Sequence, residues 1–212
     1  EYFALNDESQ EVLQSGSPAG GTTVWNHGVT GDGQIIGILD SGLDPDHCYF
    51  YDSAQGLPNS TPNLNQRKVI TYRTYGSGSA WDGCDDGHGT HVSGTAAGYP
   101  DDGSTNLSYI GIARDAKITF GDIGQDDPDD CDYGYLYPPA SLTTVFGNTR
   151  TDGGWIHSNS WGGSTNSYNS YCEDVDDYMW DYKNFLILFA AGNDGPGSGT
   201  VTYPGTAKNH VC

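Results

Sequence analysis

Hydrophobic and polar positions alternate along this chain in blocks. Gln34–Leu39 is a short, nearly continuous apolar run, bounded by Gly31-Asp32-Gly33 and Asp40-Ser41-Gly42. That pattern predicts a buried strand. Lys68–Tyr72, Lys117–Phe120 and Ile156–Ser158 are shorter strand candidates, and Asn184–Ala190 is a strong one. Helices are expected between them. His88–Gly98 is rich in small residues, and Ser141–Thr149 carries a modest helical pattern. In Tyr171–Lys183 the apolar positions Tyr171, Val175, Tyr178 and Tyr182 are three or four residues apart. They draw one stripe along a helix, which Cys172 and Met179 widen.

Apolar strands alternating with helices predict an α/β fold with a mostly parallel sheet, covered on both faces. In such sheets ligands bind beyond the carboxyl ends of the strands, so the residues just after each strand matter most. The stretches Asn59–Asn65 and Asp126–Asp132 are polar and are expected at the surface. His210-Val211-Cys212 reads as the start of a further strand. All 212 residues are therefore expected to be the N-terminal part of one domain that continues beyond Cys212.

Charge narrows the function classes. Lys and Arg total 8 and Asp and Glu total 28, a formal net charge of −20. Nucleic-acid binding needs cations to displace phosphate counterions, and adhesion to anionic membranes needs them too, so both are disfavoured. No apolar run approaches the roughly 18–20 residues that span a bilayer. The chain begins at Glu1 with no initiator Met and no signal sequence, as expected if a leader has been removed. The five cysteines, Cys48, Cys84, Cys131, Cys172 and Cys212, form no CxxC pair, which argues against a zinc knuckle. Sequons at Asn59 and Asn106 join the cysteines in favouring a secretory or lysosomal, oxidising route.

Four segments carry candidate chemistry. Asp40 follows the first strand, where a carboxylate can orient a histidine or can cap a turn. His88, in Gly87-His88-Gly89-Thr90-His91, opens a helix between two glycines, which lets the backbone pack closely and aim the ring at a cleft. It suits a general base. A metal site at His88 and His91 is a poorer reading, because HxxH lacks the intervening Glu of a zinc motif, and His91 is expected to be packed. Asn193, in Ala190-Ala191-Gly192-Asn193-Asp194-Gly195, could donate to an oxyanion or could form a turn. Ser158-Asn159-Ser160-Trp161-Gly162-Gly163 could pair with an extended peptide or could be a loop.

The order of these segments (DSGLD, then GHGTHVSGT, then Ser-Trp-Gly, then AAGNDGP) resembles the subtilisin-like serine proteases, from about Asn6 to Cys212. Tyr203-Pro204-Gly205-Thr206-Ala207 is similar to a further segment of that family. The resemblance implies a three-layer α/β/α fold and peptide hydrolysis through an acyl-enzyme. It implies that Asp40 is the triad carboxylate, His88 the general base and Asn193 the oxyanion donor. Ser160, Trp161 and Gly162 would form one wall of the primary specificity pocket, and Ala191 and Gly192 the other. Asp194 would lie at the rim, where it would favour a basic residue before the scissile bond. In this fold the Asp40 and His88 segments meet, so a Cys48–Cys84 bridge would join them, leaving Cys131 and Cys172 as a second pair. Catalysis would need no cofactor. Many relatives use structural Ca²⁺, and the acidic run Asp126–Asp132 could bind it or could be a solvated acidic loop, since its spacing is not that of an EF-hand.

One part of the family pattern is absent. No Gly-Thr-Ser-Met-Ala-like segment occurs, and the single Met179 sits between Tyr178 and Trp180. The nucleophilic Ser is therefore expected beyond Cys212, with this chain inactive alone. An inhibitory propeptide before Glu1 is a further expected partner. Two other classes compete with the endopeptidase: an inactive pseudoprotease, and a carbohydrate- or calcium-binding surface protein.

Overall fold

The computed structural model describes residues 9–17, 20–76, 87–101, 109–124 and 136–212. Strands β1 (Ile35–Asp40), β2 (Val69–Thr74), β3 (Lys117–Asp122), β4 (Ile156–Asn159) and β5 (Leu186–Phe189) form one sheet in the order β2-β3-β1-β4-β5. Every neighbouring pair is parallel. Each strand matches an expected strand candidate to within one or two residues.

The central strand faces two cores because side chains alternate along it. Ile38 packs with Val69, Tyr72, Ile118 and Phe120 on the side covered by α3 (His88–Ala97). Leu39 points the other way, to Val145 and Phe146 of α4 (Thr143–Thr151) and Val175 and Tyr178 of α5 (Ser170–Asp181). The result is three layers, with α3 on one face and α4 and α5 on the other. α5 buries Cys172, Val175 and Tyr178, three of the stripe positions. Its start is capped by Asn169, whose Oδ1 accepts from Tyr171 N and Cys172 N at 3.1 and 3.3 Å.

Two short helices were not legible as a pattern, α1 (Ser9–Ser15) and α2 (Thr23–Asn26). Long-range contacts hold them. Gln14 Oε1 accepts from Trp25 N at 2.9 Å, and Trp25 Nε1 donates to Ile112 O at 2.8 Å. Beyond β5, Val211 pairs in parallel with Leu188, in the manner of a strand's start. Among the described residues, no helix is long and apolar enough to cross a membrane.

Candidate active site

Asp40 ends β1, and the two-residue period decides where it points. It continues the Ile36 and Ile38 stripe toward the face that carries α3, and it is completely buried. His88 is the first residue of α3. Its Nδ1 lies 2.6 Å from Asp40 Oδ1, while its ring stays about half exposed. A carboxylate oxygen only accepts, so Nδ1 carries the proton and Nε2 is left as the basic nitrogen.

The local backbone makes this approach possible. Gly87, before His88, has φ +56°, a left-handed conformation that suits glycine. Gly89 has no space for a side chain, because a Cβ there would run into Gly42 O and come within 3.2 Å of Asp40 Cβ. Around the same turn, Gly89 N donates to Ser41 Oγ at 3.1 Å and Asp44 N donates to Thr90 Oγ1 at 2.9 Å. Asp122 stands in register with Asp40 on β3. Its Oδ2 accepts from Tyr72 Oη at 2.8 Å, and Tyr72 Oη accepts from Leu43 N at 3.3 Å. Ser41, Tyr72, Thr90 and Asp122 thus hold the turn after Asp40. None was singled out from the sequence, since their partners lie 29 to 50 residues away.

The other candidates lie at the same edge. Ser160, Trp161 and Gly162 directly follow β4, and Ala191, Gly192 and Asn193 follow β5. Because β1, β4 and β5 are adjacent and parallel, the three loops span roughly 10 Å of sheet edge. Asn193 and Asp194 are exposed, as are Gly162, Ala191 and Gly192; Trp161 is buried against Phe189. Thr202, unnoticed in the sequence, lies near both loops: a Cβ on Gly162 would come within 3.1 Å of its Oγ1, and a Cβ on Gly192 within 3.6 Å.

Three expectations need correction or qualification. His91 is exposed, not packed: α3 buries Gly89, Ser93 and Ala97, a face that excludes position 91. Cys48 is an exposed free thiol, and Cys172 is a buried free thiol 3.3 Å from Thr206 Oγ1. Their expected partners, Cys84 and Cys131, lie outside the described residues, as do Asn106 and the acidic run Asp126–Asp132. Asn59 is exposed, with Oδ1 accepting from Thr61 N at 2.8 Å. Among the described residues, no group of three or more His, Cys, Asp or Glu could hold a metal ion.

The family model described as "Subtilase family" matches residues 31–212. "Serine protease/ABC transporter B family protein tagD" of Dictyostelium discoideum is 40% identical over 189 residues, covering 85% of this chain and 10% of that protein. "Subtilisin" of Bacillus sp. (strain TA39) is 30% identical over 226 residues, covering 99% of this chain and 48% of that protein. The chain thus spans a tenth to a half of the length of these relatives. The crystal structure of fervidolysin from Fervidobacterium pennivorans superposes with a TM-score of 0.55 at 23% identity, covering 92% of this chain and 26% of that one. The structural likeness speaks for the fold, and the sequence match decides the family: this chain belongs to the subtilase family of serine proteases.

Proposed function

We propose that this chain supplies the carboxylate, the base and the oxyanion donor of a secreted or lysosomal serine endopeptidase, whose nucleophilic Ser lies in sequence beyond Cys212. The observation that carries the reading is the 2.6 Å contact between His88 Nδ1 and buried Asp40 at the carboxyl edge of the sheet. That contact leaves Nε2 directed away from the carboxylate, on a ring that solvent and substrate reach.

In this mechanism the Ser hydroxyl attacks the peptide carbonyl while His88 Nε2 takes its proton. Asp40 keeps the ring in one tautomer and stabilises the imidazolium. Asn193 donates to the tetrahedral oxyanion, a contribution of roughly 3–4 kcal/mol in subtilisin. His88 then returns the proton to the leaving amine. Water releases the acyl group with His88 again as base. Ser160, Trp161 and Gly162 pair with the substrate backbone and form one wall of the primary specificity pocket, and Ala191 and Gly192 form the other wall. Asp194, exposed beside them, stands at the rim. No step uses a metal; Ca²⁺ at Asp126–Asp132 would serve only stability.

The test is labelling of the full-length protein with a fluorophosphonate probe, together with peptide hydrolysis. Labelling of the intact protein that His88→Ala reduces by several orders of magnitude supports the reading. A folded full-length protein that neither labels nor cleaves any peptide would be a pseudoprotease instead.

A further inference from the structure

Asp40 is not alone at its end of the sheet. A second carboxylate, Asp122, ends β3 in register with it on the neighbouring parallel strand. Such strands run about 4.8 Å apart, and residues in register point to the same face. Asp122 continues the stripe of Ile118 and Phe120, which packs with Ile38 on the α3 side. Both carboxylates are buried, Asp122 at 1% exposure and Asp40 at 0%.

Hydrogen bonds keep Asp122 charged. Its Oδ1 accepts from Gly124 N at 2.8 Å. Its Oδ2 lies 2.8 Å from Tyr72 Oη, which already accepts from Leu43 N and so turns its own proton toward the carboxylate. A carboxylate that receives on both oxygens favours its ionised form. Asp40 has donors on one oxygen. Its Oδ1 accepts from Ser41 N at 2.8 Å and from His88 Nδ1 at 2.6 Å, while Oδ2 is buried without a hydrogen-bond partner among the described residues.

Two anions buried side by side repel, and they cost stability unless a positive charge stands against them. His88 supplies that charge whenever it takes up a proton. The other charges lie elsewhere. Arg73, next to Tyr72 on β2, pairs with Asp152, and Lys117 sits at the opposite end of β3 with its Nζ on Leu64 O. Asp44 is half-buried past the turn, Asp46 and His47 beyond it are exposed, and His91 is exposed on α3. Asp85 and Asp86, before Gly87, lie outside the described residues.

We infer that Asp122 is a positioning residue for the triad base: its buried negative charge, set behind Asp40, stabilises the His88 imidazolium and sets the pH at which the base works. This rests on the endopeptidase reading above and adds a second carboxylate to it. Removing a negative charge disfavours the imidazolium, so His88 then keeps its basic form to lower pH.

The experiment follows two midpoints against pH in the full-length protein. One is the acid limb of kcat/KM for a single peptide, which reports the base in the free enzyme. The other is carbethoxylation of His88 by diethylpyrocarbonate, read on the His88 peptide by mass spectrometry; only the neutral ring reacts, and no turnover is needed. Asp122→Asn moves both midpoints to lower pH by about 0.5–1 unit. Tyr72→Phe, which removes the donor and keeps the charge, lowers kcat by loosening the turn and moves the midpoints less than half as far. An Asp122→Asn shift below about 0.5 unit overturns the inference, as does a Tyr72→Phe shift of half that size or more. If Asp122→Asn does not fold, Asp122→Ser is read against the same limits. If neither folds, wild type decides: a midpoint above the ordinary value of about 6.5 supports the inference, and one at or below it overturns it. If no peptide is cleaved and no fluorophosphonate probe reacts, the endopeptidase reading fails separately, and the carbethoxylation midpoints still decide the role of Asp122.

Discussion

Mild acid should destabilise this domain through His157. The residue lies on β4, is 1% exposed, and meets the Phe146 ring edge-on at 5.1 Å. Its Cδ2 leaves Gly37 no space for a side chain. Burial lowers the pKa of the imidazole from 6.5 to about 3, against the opposing effect of the Asn159 side chain, and among the described residues Nδ1 is buried without a hydrogen-bond partner. The folded state therefore refuses a proton that the unfolded chain accepts. Stability from the neutral ring is full above pH 6.5 and is lost as the pH falls from there toward 3. Within that window the slope approaches 1.4 kcal/mol per pH unit for one proton. Between pH 6.5 and 5 the loss is about 2 kcal/mol, a large share of a typical 5–15 kcal/mol. Carboxylates titrate mostly below this interval, so it isolates histidine. Urea midpoints at pH 7.5, 6.5 and 5, for wild type and His157→Asn, measure the effect. The variant should be less stable at pH 7.5 and should lose clearly less stability on acidification. Parallel pH profiles for the two proteins would refute the reasoning.

Three other predictions concern the site and its support. Asp40→Asn should lower kcat of the full-length enzyme by about 10⁴-fold with a much smaller change in KM, because the amide no longer enforces the productive tautomer; a loss confined to KM would contradict the role. Gly89→Ala should cost about 1–3 kcal/mol, read by thermal melting, since its methyl meets the Gly42 carbonyl and pushes α3 off the Asp40 turn; an unchanged Tm would show that the turn yields. Asp152 accepts from Arg73 Nη1 and Nη2 at 2.5 and 2.8 Å and from Thr119 Oγ1 at 2.6 Å. These donors hold its carboxyl below the usual range despite burial, so its stabilisation is present above pH 4 and fades as the pH falls through the lowered pKa. Asp152→Ala should destabilise by about 3–5 kcal/mol in denaturant titrations because it leaves the Arg73 charge unpaired, and Arg73→Met with Asp152→Leu by less, because the double variant removes both charges.

Most of the architecture could be read along the chain because it rests on local repetition. Apolar runs marked β1 and β5, shorter candidates marked β2, β3 and β4, and the spacing in Tyr171–Lys183 marked α5. The short α1 and α2 escaped because a helix of one or two turns has too few residues to show a period, and here contacts such as Trp25 with Ile112 hold the region. His91 was misjudged for a related reason. Its exposure depends on which face of α3 meets the sheet, and the small residues Gly89, Ser93 and Ala97 mark that face only weakly.

The same division runs through the site. Asp40, His88 and Asn193 could be picked out as candidates because turn chemistry after a buried strand is a local signal, and the loops at Gly162 and Gly192 because the order of the segments resembles that of the family. What the amino-acid order alone determined was the strand and helix periods, the candidate reactive groups and the family. Only the tertiary structure decided that Asp122 stands beside Asp40, that Tyr72 bridges it to the turn at Leu43, and that Thr202 comes near both Gly162 and Gly192. Those relations join residues tens of positions apart. They are set by strand order and register, which no local pattern of apolar and polar side chains encodes.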